Sequence, residues 1–474
     1  MKSVVHLPAR RIKSHIPLLV ISALLWALIV GSCHQAAGQF VGSGEIRPFV
    51  VGVVPVVGPR GVGGVLVDAN GAIARSDVET LGRLREARLR ALAPIDSDLQ
   101  AASPLRKVSL RGLQSELDKR RQAGQPVGDA LQNMAGLTRI EYVFLYPERG
   151  DIVLAGPAEG WRVDDAGNIV GRTSGQAVLQ LDDLIVALRT AKAAVVDRGI
   201  SCSIDPTEEG LQRLRPLLHA RNLDEATVSR LEQALGPQHI TITGVPMGSH
   251  FARVLVAADY LMKRLGMDFE PAPVKGLPSY LKLLAARSAS PKSAMPRWWM
   301  APRYEPLLKD AGGLAWQLRG SGVQTLTEDG YLSSSGGVAS AGREDALAKK
   351  WADTMTSNYQ ALAKALPAFA ELRNCMDLAV IAALLAKEDL PTKANCDLAL
   401  LLDEKKIAVA EYDVPKTVDS RASLVRKGSG WIVSLSGGVQ VDSWSILSRV
   451  ETRPELTTTR QGAATTKPGQ WWWD

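Results

Sequence analysis

Histidine and cysteine are scarce in this chain, which has six histidines and four cysteines in 474 residues. No two histidines are separated by three residues and no two cysteines by two, so the spacings typical of zinc sites are absent. The sequence therefore predicts neither a bound metal nor a cofactor.

Signatures of common enzyme classes are missing as well. The glycine-rich segment 58–64 lacks the Gly-Lys-Ser/Thr ending of a phosphate-binding loop, and the chain has no Gly-x-Ser-x-Gly nucleophile elbow. Residues 279–282 match the Ser-x-x-Lys pattern of penicillin-recognising enzymes, but its Ser-Asp-Asn and Lys-Thr-Gly partners are absent. None of these patterns identifies a reaction.

The first 39 residues have the order of an export signal. Basic residues are followed by the apolar run 16–30 and then by small and polar residues up to Gln39. We predict a signal peptide over residues 1–38 and an exported protein in the periplasm or cell envelope, or secreted. Two alternatives stay open: Cys33 ends a lipobox-like Val-Gly-Ser-Cys and is lipidated, or the apolar run is retained as an anchor.

Positive charge is concentrated in this leader. The chain has a formal charge of +7, and residues 1–38 hold four Lys or Arg and no Asp or Glu, so the exported part carries +3. A weakly positive chain that has no block of basic residues interleaved with aromatic residues does not favour binding to nucleic acid. We therefore predict no nucleic-acid partner.

Export makes a disulfide plausible for the cysteines that follow the leader, because compartments outside the cytoplasm are oxidising. Cys375 and Cys396 are 21 positions apart, and a helix followed by a turn at Pro391 could bring them together. We predict a Cys375–Cys396 disulfide, and we expect Cys202 to be a small apolar core residue.

Two strand–turn–helix units indicate the fold class. Residues 200–204 and 240–243 alternate isoleucine with serine, cysteine or threonine, and helices are predicted after them over 208–219 and 249–265. The alternation implies one buried face and one wetter face. We predict an α+β fold, in which a mixed sheet is covered by helices on one side, with a small C-terminal β module and a disordered tail.

Composition divides the chain into five regions. They are the signal peptide at 1–38, a lead-in with a hairpin and helix at 39–105, an α+β core at 106–402 (one unit or two subdomains split near 198), a β module or sheet extension at 403–451, and a flexible Trp-ended tail at 452–474. Within them we predict a helix at 109–121 capped by Ser109, a helical stretch at 346–388 interrupted at Pro367, and a strand at 407–412.

The best placed candidate site is Ser249 and His250 with Arg253. These residues follow a strand and open a helix, where backbone N–H groups can hold an anion. Asp259 follows on the same helix, and a histidine beside a carboxylate can act as a general base. The alternative is that Ser249 only caps the helix and His250 is a partly exposed surface residue.

Aromatic residues form a second candidate site. Arg297, Trp298 and Trp299, with Tyr304, could stack on a sugar or a peptide ring. The alternative is that a strand packs these rings into the core. Asn374 and Asp377, on an apolar helix with Glu371, favour a structural polar network.

Trp471–Trp473 and Asp474 end the sequence after a segment rich in Thr, Pro and Gly. Three exposed indoles would be costly in water. We expect them to dock onto a partner, a membrane face or a groove of the protein itself, and the sequence does not separate these three.

Four segments together resemble an uncharacterised secreted family of planctomycete-type bacteria, a domain of unknown function. They are Ile152–Trp161, Ala257–Leu265, Pro296–Trp299 and Leu372–Ala379. The resemblance spans about residues 62–400 and implies a setting outside the cytoplasm. It supplies no reaction, fold or site residues.

These observations favour a non-catalytic binding or envelope-associated module over an enzyme. Its partner would be an envelope protein or polymer, with peripheral membrane contact through the tail or through lipidation as a further expectation. The alternative is a hydrolase that acts on an envelope or environmental polymer and uses His250 and Asp259.

Overall fold

The computed structural model describes most of the chain after residue 96. The described residues are 65–67, 73–75, 97–165, 168–196, 199–214, 217, 225–286, 297–327, 330–332, 338–340, 346–412, 414–420, 423–425, 431–433, 436–464 and 473–474. The predicted signal peptide, the lipidation site at Cys33, and Trp471 and Trp472 lie outside them.

The strands are numbered in chain order. They are β1 (Val65–Val67), β2 (Ile73–Arg75), β3 (Ser103–Ser109), β4 (Tyr142–Tyr146), β5 (Asp151–Ala158), β6 (Trp161–Val163), β7 (Ile169–Gly171), β8 (Ile200–Pro206), β9 (Gln238–Thr243), β10 (Arg297–Arg303), β11 (Leu307–Lys309), β12 (Ala315–Gln317), β13 (Gly322–Thr327), β14 (Gly330–Leu332), β15 (Val338–Ser340), β16 (Thr417–Val418), β17 (Ser423–Val425), β18 (Trp431–Val433), β19 (Ser436–Val441) and β20 (Val450–Thr452).

The α-helices are numbered in the same way. They are α1 (Ser97–Gln100), α2 (Leu110–Gln122), α3 (Asp129–Gln132), α4 (Leu181–Thr190), α5 (Ala193–Val196), α6 (Glu208–Leu214), α7 (Glu225–Leu235), α8 (His250–Gly266), α9 (Tyr280–Ala286), α10 (Ala346–Ser357), α11 (Tyr359–Ala365), α12 (Pro367–Lys387), α13 (Leu390–Lys393), α14 (Ala399–Leu402), α15 (Ser443–Ile446) and α16 (Glu455–Ala463).

The larger strands form two mixed sheets of six strands each. Sheet I has the order β13-β10-β19-β8-β9-β16, and its pairs are antiparallel except for β10 with β19. Sheet II has the order β20-β11-β12-β4-β5-β3, and its pairs are antiparallel except for β11 with β20. Mixed sheets with helices packed on them confirm the predicted α+β class.

The two strand–helix units predicted from alternating isoleucines lie side by side in sheet I. In β8 the residues Ile200, Cys202 and Ile204 are buried while their neighbours are partly exposed, and β9 pairs with β8 along its whole length. Helix α8 packs on β8 and β19. The period of two therefore identified the buried face correctly.

Helix α12 lies at the centre of the main core. It is buried on all sides and contacts α4, α8, α11 and α15. A helix that is apolar all round can be stable only in such a position. Pro367 is its first residue, where the missing N–H costs nothing, so the predicted interruption is a helix start.

Sheet II has a smaller core on its other face. Phe144, Val153 and Leu308 pack there against Leu456 and Ala463 of α16. Within the segment 452–474, predicted to be flexible, the structure thus forms a helix. The sequence predicts one sheet covered by helices on one side, whereas the structure has two large sheets. Sheet II has helices against both of its faces.

The C-terminal strands behave largely as the sheet extension that the sequence left open. β16 and β19 join sheet I, β20 joins sheet II, and β17 pairs with β18. The strand expected at 407–412 is wrong: residues 408–412 have no regular secondary structure. Instead, the Ala410 N–H donates to Asp182 of α4, and the Tyr412 N–H donates to the Gly248 carbonyl just before α8.

Gly437 and Gly438 allow β19 to lie between β8 and β10. A Cβ atom on Gly438 would lie 1.9 Å from the Cys202 carbonyl oxygen, and one on Gly437 would lie 1.8 Å from the Trp298 carbonyl oxygen. Contacts this short are impossible, so only glycine permits this approach of three strands.

We expect Gly438→Ala to lower the free energy of unfolding by at least about 2 kcal/mol, because backbone atoms must move to admit the methyl group. Gly462→Ala is the matched control, since a Cβ there meets nothing within 4 Å on helix α16. The control should be neutral or stabilising by up to about 1 kcal/mol. Urea denaturation of both variants measures this, and equal stabilities would contradict the close approach.

Candidate functional site

Ser249 caps helix α8, as the sequence predicted. Its hydroxyl accepts a hydrogen bond from the Ala252 N–H at 3.1 Å and donates one to the Pro246 carbonyl at 2.7 Å. The cap fixes the direction in which the next side chain, His250, leaves the helix start.

His250 is buried and pairs with Asp183 of α4. Its Nδ1 lies 2.9 and 3.1 Å from the two carboxylate oxygens of Asp183, and only 8% of the residue is exposed. The Tyr412 ring packs on the imidazole with centroids 5.6 Å apart, and the Arg253 guanidinium lies 5.1 Å from the Tyr412 centroid. The alternative in which His250 is a surface residue is therefore wrong.

Asp183 joins three helices and was missed by the sequence analysis. It accepts hydrogen bonds from His250 of α8 and from the Cys375 thiol of α12. Its neighbour Asp182 accepts a hydrogen bond from the Ala410 N–H at 3.2 Å, and burial raises the pKa of Asp182. Two adjacent acidic residues at the start of an apolar helix were the only signal, and no spacing connects residue 183 with residue 250.

Asp259 lies in a separate cluster from His250. It is fully buried, and its Oδ2 accepts a hydrogen bond from Lys263 at 2.9 Å. Lys263 also donates to the carbonyls of Ile204 at 2.9 Å and Gly437 at 3.3 Å, which ties α8 to sheet I. The structure therefore does not bring together the two residues of the hydrolase alternative.

The aromatic residues around β10 belong mainly to the core. Trp298 is fully buried between Trp351 and Tyr280, at centroid distances of 4.2 and 5.1 Å. Tyr304 is buried, and its hydroxyl donates to Asp377 at 2.6 Å. Packing of these rings, the alternative left open, is therefore correct for both residues.

Of the two remaining members of that predicted patch, the structure describes the side chain of Trp299 alone. Trp299 is partly buried, and Arg297 begins β10 with a side chain outside the described part. The polar residues predicted on α12 do form a network: Asp377 pairs with Arg139 at 3.0 Å, and Asn374 donates to the Ala177 carbonyl at 3.0 Å. The network lies largely within the core, with Asp377 fully buried and the Arg139 side chain 13% exposed.

The predicted disulfide is absent, and this corrects the sequence analysis. Cys202, Cys375 and Cys396 are free and buried. The Cys375 thiol faces Asp183 on α4, whereas the Cys396 sulfur accepts a hydrogen bond from the Ile152 N–H on β5. The two thiols thus have different neighbours, and burial raises the pKa of both.

Alkylation of the unfolded, unreduced protein should modify all three of these cysteines. Iodoacetamide labelling in guanidinium followed by peptide mass mapping measures this, with a prereduced sample as the control. Under native conditions the same residues should react slowly, because burial and a raised pKa leave little thiolate. Recovery of a peptide pair linked through Cys375 and Cys396 would contradict the structure.

The tail segment, defined as Trp473–Asp474, pairs with the edge strand β3. Lys107 and Asp474 exchange both backbone hydrogen bonds at 2.9 Å, and Trp473 lies opposite Val108 in antiparallel register. The Lys107 ammonium also pairs with the Asp474 carboxylate. Of the three expectations for the tail, docking on the protein itself is the one that the structure contains for Trp473, whereas Trp471 and Trp472 lie outside the described residues.

Arg106 of β3 forms one wall of this groove. Its guanidinium is buried and donates to the carbonyls of Asp98, Leu99, Ala101 and Ala135 at 2.8 to 3.3 Å. The centroid of the Trp473 ring lies 5.5 Å from it. Burial lowers the pKa of Arg106 and leaves its guanidinium group with little water around it. The attraction between a cation and an indole face is strongest in such a setting.

A cavity of about 350 Å³ lies beside the tail segment. Its walls include Lys107, Arg111 and Arg149, together with Tyr146. The surface next to the docked segment is therefore basic and concave, which makes the β3 edge a candidate binding site.

Comparison with known proteins finds similarity to a family of unknown function over part of the chain. A family model described as a protein of unknown function (DUF1598) matches residues 202–280, from β8 to the first residue of α9. The expected similarity to a domain of unknown function is confirmed over this stretch. No curated protein and no solved structure matches the chain.

Two features are absent from the described residues. No helix among them is both long enough and apolar enough to span a membrane. No group of three or more His, Cys, Asp or Glu side chains among them is arranged to hold a metal ion.

The buried Asp259 should make stability depend on pH. Burial raises the pKa of Asp259 to about 7, so the native state keeps a proton that the unfolded chain releases near pH 4. The contribution of Asp259 to the free energy of unfolding is therefore fully present below about pH 4. It declines as the pH rises to about 7 and does not change further above that. Asp259→Asn should abolish this dependence.

Urea denaturation at several pH values tests this. The difference in unfolding free energy between Asp259→Asn and the unmodified chain should change by more than about 2 kcal/mol between pH 4.5 and 7.5, since one pKa unit corresponds to about 1.4 kcal/mol. Asp353→Asn, which removes an exposed carboxylate, is the control. A flat difference for Asp259→Asn would contradict the raised pKa.

Proposed function

We propose that this protein is a non-catalytic binding module that works outside the cytoplasm and takes an extended segment of an envelope protein along the edge of β3. The pairing of Trp473–Asp474 with β3 carries the proposal, because it is an instance of strand addition within the chain itself. The order of the leader and the resemblance to a secreted family support the location.

The edge of β3 suits this role because it ends sheet II. An edge strand presents unpaired N–H and C=O groups that a further strand can use, and proteins usually block such edges. Here β5 pairs with one side of β3, and the tail segment pairs with residues 107 and 108 on the other. A partner segment would use the same backbone groups.

Catalysis by the predicted residues has less support. Asp183, and not Asp259, pairs with His250. Among the described residues His250 has no hydroxyl or thiol as a hydrogen-bond partner, and the Cys375 thiol bonds to Asp183. This arrangement supplies a histidine and a carboxylate but no nucleophile for them to activate.

The tail segment would compete with a partner for the edge. It is joined to α16 through residues 465–472, and a short connection of this kind gives an effective concentration on the order of 1 mM. A partner must therefore bind more tightly than the tail segment does, or be present at higher concentration.

The proposal is tested with the labelled peptide of residues 466–474 and two forms of the full chain. The tail-disabled variant carries Trp473→Ala and Asp474→Pro. These changes remove the indole ring, the side-chain carboxylate of Asp474 and the Asp474 N–H that donates to the Lys107 carbonyl. In fluorescence anisotropy the peptide should bind this variant, and it should bind the unmodified chain at least about fivefold more weakly because the edge is occupied.

Glu451→Ala, added to the tail-disabled variant, is the matched control because it removes an exposed carboxylate at the opposite edge of sheet II. This substitution should leave the affinity for the peptide unchanged. A peptide of scrambled sequence should not bind, so its anisotropy should stay constant. Failure of the peptide to bind the tail-disabled variant would refute the proposal, and equal binding to both forms would place the peptide elsewhere.

A further inference from the structure

We infer that the β3 edge selects segments in which an aromatic residue is directly followed by an acidic residue. The inference deepens the proposed function, on which it rests, by naming the kind of partner segment that fits. It comes from the two different surroundings that β3 offers to successive residues of an added strand.

Successive residues of a strand point to opposite faces, so the two residues of the tail segment meet different groups. Trp473 lies on the face of Arg106 and Val108, which are both buried. Asp474 lies on the face of Lys107, whose side chain is 14% exposed. A shift by one residue would exchange the two surroundings, so the order of the two residues is part of the selection.

The first position favours an aromatic ring. Four backbone carbonyls, none of them in the tail segment, hold the Arg106 guanidinium in place, and its Nε has no hydrogen-bond partner among the described residues. The position of the cation is therefore fixed, and a ring over it adds a cation–π contact without further ordering of the arginine. An aliphatic residue would keep the contact with Val108 but not this attraction.

The second position favours a carboxylate. Lys107 pairs with Asp474, and the adjoining cavity adds Arg111 and Arg149. The carboxylate of the same cavity, Asp151, accepts hydrogen bonds from the Arg111 N–H and the Ser109 hydroxyl, so it is already used within the fold. A basic residue at this position would meet like charge in a largely buried setting, which rejects it.

The test measures binding of four peptides to the tail-disabled variant: residues 466–474 unchanged, and the same peptide with Trp473→Leu, Asp474→Asn or Asp474→Lys. We expect Trp473→Leu and Asp474→Asn to weaken binding about fivefold each, and Asp474→Lys to weaken it at least about tenfold. Anisotropy at low salt is the readout, because salt screens the charged contact.

A charge exchange separates a specific contact from general attraction. The tail-disabled variant that also carries Lys107→Glu should bind the Asp474→Lys peptide more tightly than the unchanged peptide. The order of the two affinities is then reversed. Lys119→Glu, an exposed position on α2, is the matched control and should leave the order unchanged.

Three results would overturn the inference. Equal affinities for all four peptides would remove the selectivity and leave the proposed function intact. An unchanged order in the Lys107→Glu variant would show that Lys107 does not read the acidic residue. Absence of binding by any peptide would overturn the proposed function and the selectivity together.

Discussion

The burial of α12 on all sides is the constraint on which most of this structure depends. A helix of 21 residues with apolar residues on every face must be surrounded, and α4, α8, α11 and α15 form most of that shell. Its few polar groups must then find partners inside the core. Arg139 and Tyr304 bind Asp377, and the Cys375 thiol donates a hydrogen bond to Asp183. The packing of α12 therefore determines where the polar clusters lie.

Local patterns predicted the elements well because their causes are local. The alternating isoleucines of β8 and β9, the Ser249 cap and the helix start at Pro367 each depend on a few neighbouring residues. The candidate site depends on long-range contacts instead. Asp183 and His250 are far apart in the sequence, and so are Lys107 and Asp474, which no periodicity connects.

The errors have the same origin. The sequence spacing of Cys375 and Cys396 predicts a pair, but helix α12 directs one thiol at α4 while the other lies beside β5. Trp298 and Tyr304 form one aromatic cluster in the sequence, yet Trp298 packs against Trp351 and the Tyr304 hydroxyl binds Asp377 inside the core. Exposure is a property of tertiary packing, so it could not be read from composition.

The path of the chain between the sheets affects how the protein can be made. β10 and β13 lie in sheet I, while β11 and β12 between them lie in sheet II, so residues 297–327 contribute to both. During synthesis β3, β4 and β5 leave the ribosome long before β11, β12 and β20 exist. Sheet II is therefore incomplete until about residue 452 has been translated, and its closure depends on contacts between strands far apart in the sequence.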